Sequence, residues 1–375
     1  MINVLIAGDF CPQRRVVSIF ENEEYASVLG DIKSSVMDAD YRIVNFECPV
    51  LEGKGTAIPK KGPSLCCSEK GLKAAKWVGF DCLCLANNHF LDYGSQGVSN
   101  TIDACQKYGL DYVGGGMNLM EASRILYKEI GDKKMAIVNC CEHEYSIATE
   151  KTAGSNPLNP IQQYYTIKEA RESADYVLVI VHGGHEMWQL PSPRMVQTYR
   201  FFVDAGADAV VNHHQHCFSG YEVYKGKPIF YGLGNFCFDN PGYYPGLWNI
   251  GYMVRIQLSD TITFNILPYE QCKTEPTVNL LGCCDCFDRK MTELNGIIAD
   301  DIKLLTETAH YYSEGSRSVR LAFEPYHGRV CNKLYLFGFL PRVMPKKKLL
   351  SLQNTLTCES HYDRTVYILN QLVIK

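Results

Sequence analysis

Five times in its first 216 residues this chain sets residues of metal-ligating types just beyond a short apolar run. The runs are residues 2–7, 41–44, 82–86, 176–181 and 207–211. They end respectively in Gly8-Asp9, Asn45-Phe46-Glu47, Asn87-Asn88-His89, His182-Gly-Gly-His185-Glu186 and Asn212-His-His-Gln-His216. Carboxylates, an amide oxygen and imidazoles gathered in one place form a mixed N/O site suited to manganese, iron or zinc. Half of the ten histidines fall within residues 182–216, a crowding that favours such a gathering. On an extended segment His214 and His216 face the same way, and His213 faces away. Plainer roles compete: Asp9 beside Gly8 suits a turn, and Glu47 suits an ion pair with Arg14 or Arg42. The pattern speaks for a metallohydrolase.

What must position these residues is a sheet. Apolar runs of this length, rich in β-branched residues, read as strands buried on both faces in a layered α/β protein. In such sheets ligands bind beyond the carboxyl ends of the strands, where all of these clusters would meet. Helices alternate with them: 68–78 with Ser68 as its cap, 94–108 closed by Gly109, 164–174 and 193–204. From 219 to about 268 consecutive strands follow, at 221–224, 228–231, 251–258 and 261–267. Beyond Gln271 the pattern turns helical, with one helix over 287–312. The expected division is 1–275 for the site-bearing domain and 276–375 for a helical, locally basic region.

The totals narrow the classes. At 375 residues, with 46% hydrophobic residues, the chain suits a soluble globular protein, of one large α/β domain with an appendage or of two domains. No stretch approaches the roughly 18 apolar residues of a membrane span, and no signal-peptide pattern precedes the first strand. The 17 cysteines sit mostly in apolar segments, which favours reduced thiols and a cytoplasmic location. Cys272, Cys283, Cys284 and Cys286 lack zinc-site spacing. Net charge is −4, unevenly spread: residues 316–348 hold eight Lys/Arg against Glu324 alone. Within them, 334–348 joins an aromatic-apolar stretch to Lys346-Lys347-Lys348, a composition that suits peripheral contact with an anionic membrane. A buried element followed by a solvated basic loop is the plainer reading. No nucleic-acid motif accompanies the charge.

The ordered set of motifs resembles the CapA family of capsule and poly-γ-glutamate biosynthesis proteins, within the calcineurin-like metallophosphoesterase superfamily. The matching stretches begin with Gly8-Asp9, Asn45-Phe46-Glu47, Lys60-Lys61-Gly62, Ala86-Asn-Asn-His89 with Asp92-Tyr-Gly94, and Gly114-Gly-Gly116. They continue with His182-Gly-Gly-His-Glu186, His214-Gln-His216 and Tyr231-Gly-Leu-Gly-Asn-Phe236, in family order to about residue 260. The resemblance implies a four-layer α/β/β/α sandwich with a helical C-terminal extension. It further implies two divalent cations about 3.5–4 Å apart, polarising a phosphoester or related anionic bond. Asp9, Glu47, Asn88, His182, His214 and His216 would hold them, with Glu47 at the bridging position. His89 would protonate the leaving oxygen or stabilise charge on phosphorus, with Asp92 orienting it. Asn235 would support the ligands. Where the superfamily has a histidine two residues after Asp9, this chain has Cys11, a soft alternative ligand.

Arg14, Lys60 and Lys61 lie in loops expected near the same edge, where cations suit phosphate or carboxylate recognition. Glu186 would hold substrate, take a third ligand position or serve structure, and His185 shares that ambiguity. The expected partners are an anionic polymer or phosphoester substrate and the polymer-synthesis machinery. Two further readings stay open: a non-catalytic accessory of polymer synthesis or export, and a γ-glutamyl amide hydrolase.

Overall fold

The computed structural model describes residues 1–60, 62–282, 284–314, 321, 323–357 and 369. Lys61 and Cys283 lie outside them. Two compact units divide the chain, Met1–Leu304 and Leu305–Lys375. The division expected at 275/276 therefore falls inside the first unit.

That unit is built on two sheets. The strands are β1 (Ile2–Phe10), β2 (Tyr41–Phe46), β3 (Cys82–Cys84), β4 (Asp111–Val113), β5 (Gly115–Gly116), β6 (Leu126–Ile130), β7 (Lys133–Cys141) and β8 (Gly154–Ser155). They continue as β9 (Tyr176–His182), β10 (Ala209–His213), β11 (Tyr221–Tyr224), β12 (Lys227–Phe230), β13 (Asn235–Cys237), β14 (Ile250–Leu258), β15 (Thr263–Gln271) and β16 (Val278–Leu280). One sheet runs β16-β15-β14-β1-β2-β3-β4, with β13 beside the end of β1; the other runs β11-β12-β10-β9-β7-β6. Their centres are parallel: β1, β2, β3 and β4 in the first, β7, β9, β10 and β12 in the second.

Side chains alternate between two cores, as the pleat requires. Val4 and Ile6 of β1, Ile43 of β2 and Cys82 and Cys84 of β3 pack with Ile137, Val179 and Val210 of the facing sheet. Leu5, Ala7, Val44 and Leu83 point the other way. There they meet α1 (Arg15–Glu21), α2 (Tyr25–Met37), α3 (Glu69–Val78) and α4 (Gly94–Tyr108). The short α5 (Leu119–Ala122) follows, and α6 (Pro160–Ser173), α7 (Pro193–Ala205) and α8 (Asp285–Ile298) cover the second sheet. This is the four-layer α/β/β/α sandwich that the resemblance implies.

Caps set the helix limits. Ser68 accepts from the Lys70 N–H at the start of α3, and Gly109 ends α4 in the left-handed region. The helix expected over 287–312 is two helices, α8 and α9 (Asp301–Glu314). Asp300 interrupts it, its Oδ1 accepting from the Ile302 and Lys303 N–H groups at 3.1 Å each. The second unit adds α10 (Arg329–Leu336) and α11 (Lys346–Thr357). It folds around buried Tyr335 and Glu324, whose carboxylate accepts from the Tyr335 hydroxyl and from the Val343 and Met344 N–H groups. Among the described residues, no helix is long and apolar enough to cross a membrane.

Candidate metal centre

The centre lies where parallel strands of both sheets end. Asp9, next to last in β1, is held by its own N–H to the Gly234 carbonyl at 3.0 Å. Only glycine fits before it, since a Cβ on Gly8 would stand 1.9 Å from that carbonyl oxygen. Glu47 follows β2 and is tied by its N–H to the Phe10 carbonyl at 3.0 Å. Asn88 and His89 lie in the loop after β3, His182 ends β9, and His214 and His216 follow β10.

These residues converge. Glu47, His182 and His214 offer one donor atom each, all within 4.8 Å of one another, and so do Asp9, Glu47 and His216. Glu47 belongs to both groups: its Oε1 is 3.6 Å from His182 Nε2 and 3.6 Å from His216 Nε2. Asn88 joins the first group, with Oδ1 3.0 Å from His182 Nε2, while His214 Nδ1 lies 3.1 Å from the same nitrogen. Asp9 Oδ2 is 3.4 Å from His216 Nδ1, which also meets Asn235 Oδ1 at 2.9 Å.

The donor set fits a cation. Both Glu47 carboxylate oxygens are fully buried and lack a hydrogen-bond partner. A buried carboxylate in that state is costly unless a positive charge meets it. Burial pushes the Glu47 carboxyl well above its usual range, although the His216 charge opposes this. Burial acts on Asp9 too, but hydrogen bonds from His213 and His216 outweigh it and hold that carboxyl well below the ordinary value. Burial likewise lowers His182 and His214. In His216 the Glu47 and Asp9 carboxylates overcome burial and raise the imidazole to about 10.

Two expectations about side-chain direction need correction. Residues 214–216 do not continue the strand: His214 and His216 have φ of 91° and 55°, and this bend brings both rings to the site. His213 does not face away from the site but points its Nδ1 at Asp9 Oδ1, 3.3 Å distant. Non-glycine residues in that region cost of order 1–3 kcal/mol each and cluster at functional sites.

The remaining candidates separate. His89 Nδ1 lies 2.7 Å from Asp92 Oδ2. Lys60 is not open to solvent: its Nζ pairs with Asp92 Oδ1 and lies 3.1 Å from His89 Nδ1. Arg14 (φ 55°) and Glu186 are exposed and border a cavity of about 270 Å³. His89, His216, Tyr243 and Trp248 line the same cavity. Cys11 turns away from the site into a buried contact with Cys48, and burial raises its thiol to about 11. His185 packs on Trp188.

Three contributors were not singled out from the sequence. Asn45 donates to Asp9 Oδ1 at 2.8 Å and lies 3.2 Å from His182 Nδ1. Glu144 accepts from Asn88 Nδ2 at 3.1 Å, and its Oε2 is 4.0 Å from His214 Nε2. His213 is the third. For Glu144 the signal existed: β7 is another buried run with acidic residues just beyond its end, Glu142 and Glu144.

A family model described as bacterial capsule synthesis protein PGA_cap matches residues 3–240. Capsule biosynthesis protein CapA of Bacillus anthracis is 36% identical over 246 residues, covering 64% of this chain and 60% of that protein. PGA biosynthesis protein CapA of Bacillus subtilis is 34% identical over 242 residues, covering 64% of each. This chain thus spans less than two thirds of the length of these relatives. The matched stretch holds β1 through β13 and every residue of the centre, and the chain belongs to the bacterial capsule synthesis protein PGA_cap family.

Proposed function

We propose that the chain is a metal-dependent phosphoesterase-like hydrolase acting in the synthesis of an anionic surface polymer. The observation that carries this is the pair of donor groups sharing the buried, unpartnered Glu47. Asp9, Glu47 and His216 would hold one divalent cation, and Glu47, Asn88, His182 and His214 a second. Cations held there would supply positive charge to a phosphoryl oxygen.

The chain's own residues provide the rest. Donation from His89 Nδ1 to Asp92 holds the ring, and in its doubly protonated form the ring would pass its Nε2 proton to the leaving oxygen. Lys60 Nζ pairs with the other oxygen of Asp92 and so helps to fix the group that holds His89. Arg14 brings a cation to the cavity rim, where a second anionic group of the substrate would bind. The names of the relatives, which refer to capsule and PGA biosynthesis, support the polymer context.

The test is elemental analysis of wild type and His214→Ala, purified without chelator, followed by a screen of phosphoesters and γ-glutamyl peptides. Two equivalents in wild type, reduced in the variant, with phosphate release, is the expected result. Glutamate release without phosphate would select amide hydrolysis. A metal-free protein that turns over neither class would leave an accessory role.

A further inference from the structure

We propose that the surface formed by α10 and the segment Phe337–Lys348 lies down on an anionic lipid membrane. The argument starts from what this surface leaves in water. Phe337 is 73% exposed and Phe339 75%, set either side of Gly338, whose φ of 87° makes the turn that presents both rings. Val330 of α10 is 71% exposed, and Leu334, Leu336 and Val343 are also open. Apolar side chains scattered singly need no explanation, but six exposed within fourteen residues of sequence call for one.

Charge supplies the second half. Arg329, Lys333, Arg342, Lys346, Lys347 and Lys348 are all exposed, and none makes an ion pair among the described residues. Glu324, the acidic residue of this stretch, is buried, with its carboxylate already taken by Tyr335, Val343 and Met344. It does not neutralise the surface. Exposed phenyl rings in the same short segment as lysines without an ion pair among the described residues match the two layers of a membrane interface, acyl boundary below and anionic headgroups above. A soluble polyanion satisfies the cations equally well but has no apolar interior to take the rings. The rings therefore decide for the membrane. No helix among the described residues is fit to cross it, so the contact is peripheral. This surface lies outside the stretch that the family model matches and is independent of the reaction at the metal centre.

Co-sedimentation of the full chain with vesicles tests it, using phosphatidylcholine alone and phosphatidylcholine mixed with phosphatidylglycerol. Binding is expected only to the mixed vesicles and should weaken as salt rises. Replacing Lys346, Lys347 and Lys348 by Gln should lower the partition coefficient about a hundredfold, from roughly fivefold per lysine. Phe337→Ser with Phe339→Ser should lower it by a similar factor. These side chains are exposed, so a fold defect is not expected, and wild-type dependence on vesicle composition gives a reading without any variant. Equal binding to both vesicle types, or none to either, overturns the proposal. So does binding to soluble polyglutamate that needs the lysines but not the phenylalanines, which would mark a polymer-binding surface instead.

Discussion

Glu47 behaves differently from an ordinary buried carboxylate because nothing in the protein satisfies it. Its carboxylate meets only the His182 and His216 imidazoles, each 3.6 Å away, and is the group a cation would satisfy. Glu47→Gln should bind at most one equivalent of metal. A variant retaining full metal would remove Glu47 from the shared position. His216 sets the pH dependence. Its imidazole stays protonated up to about 10 in the metal-free protein, so a cation must displace that proton at any pH from 6 to 8. His182 and His214 are shifted the other way, downward by burial, so neither opposes this trend. Apparent metal affinity should thus rise with pH across that window, and calorimetry in buffers of different ionisation enthalpy should register proton release. A pH-independent affinity would contradict this. His89→Asn addresses the proton rather than the metal: turnover should fall roughly 10²–10⁴-fold with metal content unchanged. Loss of metal would instead make His89 part of the binding set.

At the scale of elements, the strands place the site and one glycine lets them close. With a Cβ at residue 8 only 1.9 Å from the Gly234 oxygen, Gly8→Ala must push β1 and the 233–235 loop apart. We expect about 1–3 kcal/mol of lost stability, by analogy with overpacked cores. Metal affinity should fall with it, because Asp9 hangs on the Gly234 hydrogen bond. Normal melting and normal metal binding would show that the loop absorbs the methyl group. The same elements explain what was readable in the sequence. Buried parallel strands write themselves as unbroken apolar runs, so the ends of β1, β2, β3, β9 and β10 could be located, and with them the residues that converge. Direction was not readable past a strand end. His214 and His216 reach the site through positive φ, and His213 through the last position of β10, a choice made by single backbone dihedrals. Lys60 read as a loop cation for substrate recognition because its partner Asp92 lies 32 residues away in sequence. The α8–α9 break at Asp300 was missed because apolar periodicity continues through it.

Across the first unit, the centre joins two layers of the molecule. Asp9, Glu47 and Asn88 come from the sheet containing β1, β2 and β3, whereas His182, His214 and His216 come from the sheet containing β9 and β10. Below the centre the sheets adhere through apolar contacts such as Ile6 and Ile43 with Val179 and Val210. At the centre they meet through charge, and a bound cation would act as a clamp there. Metal would bind only when both sheets are in place, so its binding free energy would add to folding by mass action. At a free concentration 100 times Kd, that contribution is about 2.7 kcal/mol for one site. At about 2.1 cal/mol/K of unfolding entropy per residue, a unit of this size shifts by roughly 1.6 °C per kcal/mol, so chelation should lower Tm by about 4 °C per site. The shift belongs to the transition of Met1–Leu304, since Leu305–Lys375 carries none of these ligands. A truncation ending at Leu304 is not needed to see it: far-ultraviolet melting of the full chain with and without chelator suffices. His182→Ala, which leaves Asp9, Glu47 and His216 in place, should show a smaller difference in Tm with and without chelator than wild type. If chelator leaves the wild-type Tm unchanged, the two sheets are held by their apolar core alone and the centre is not a clamp between them.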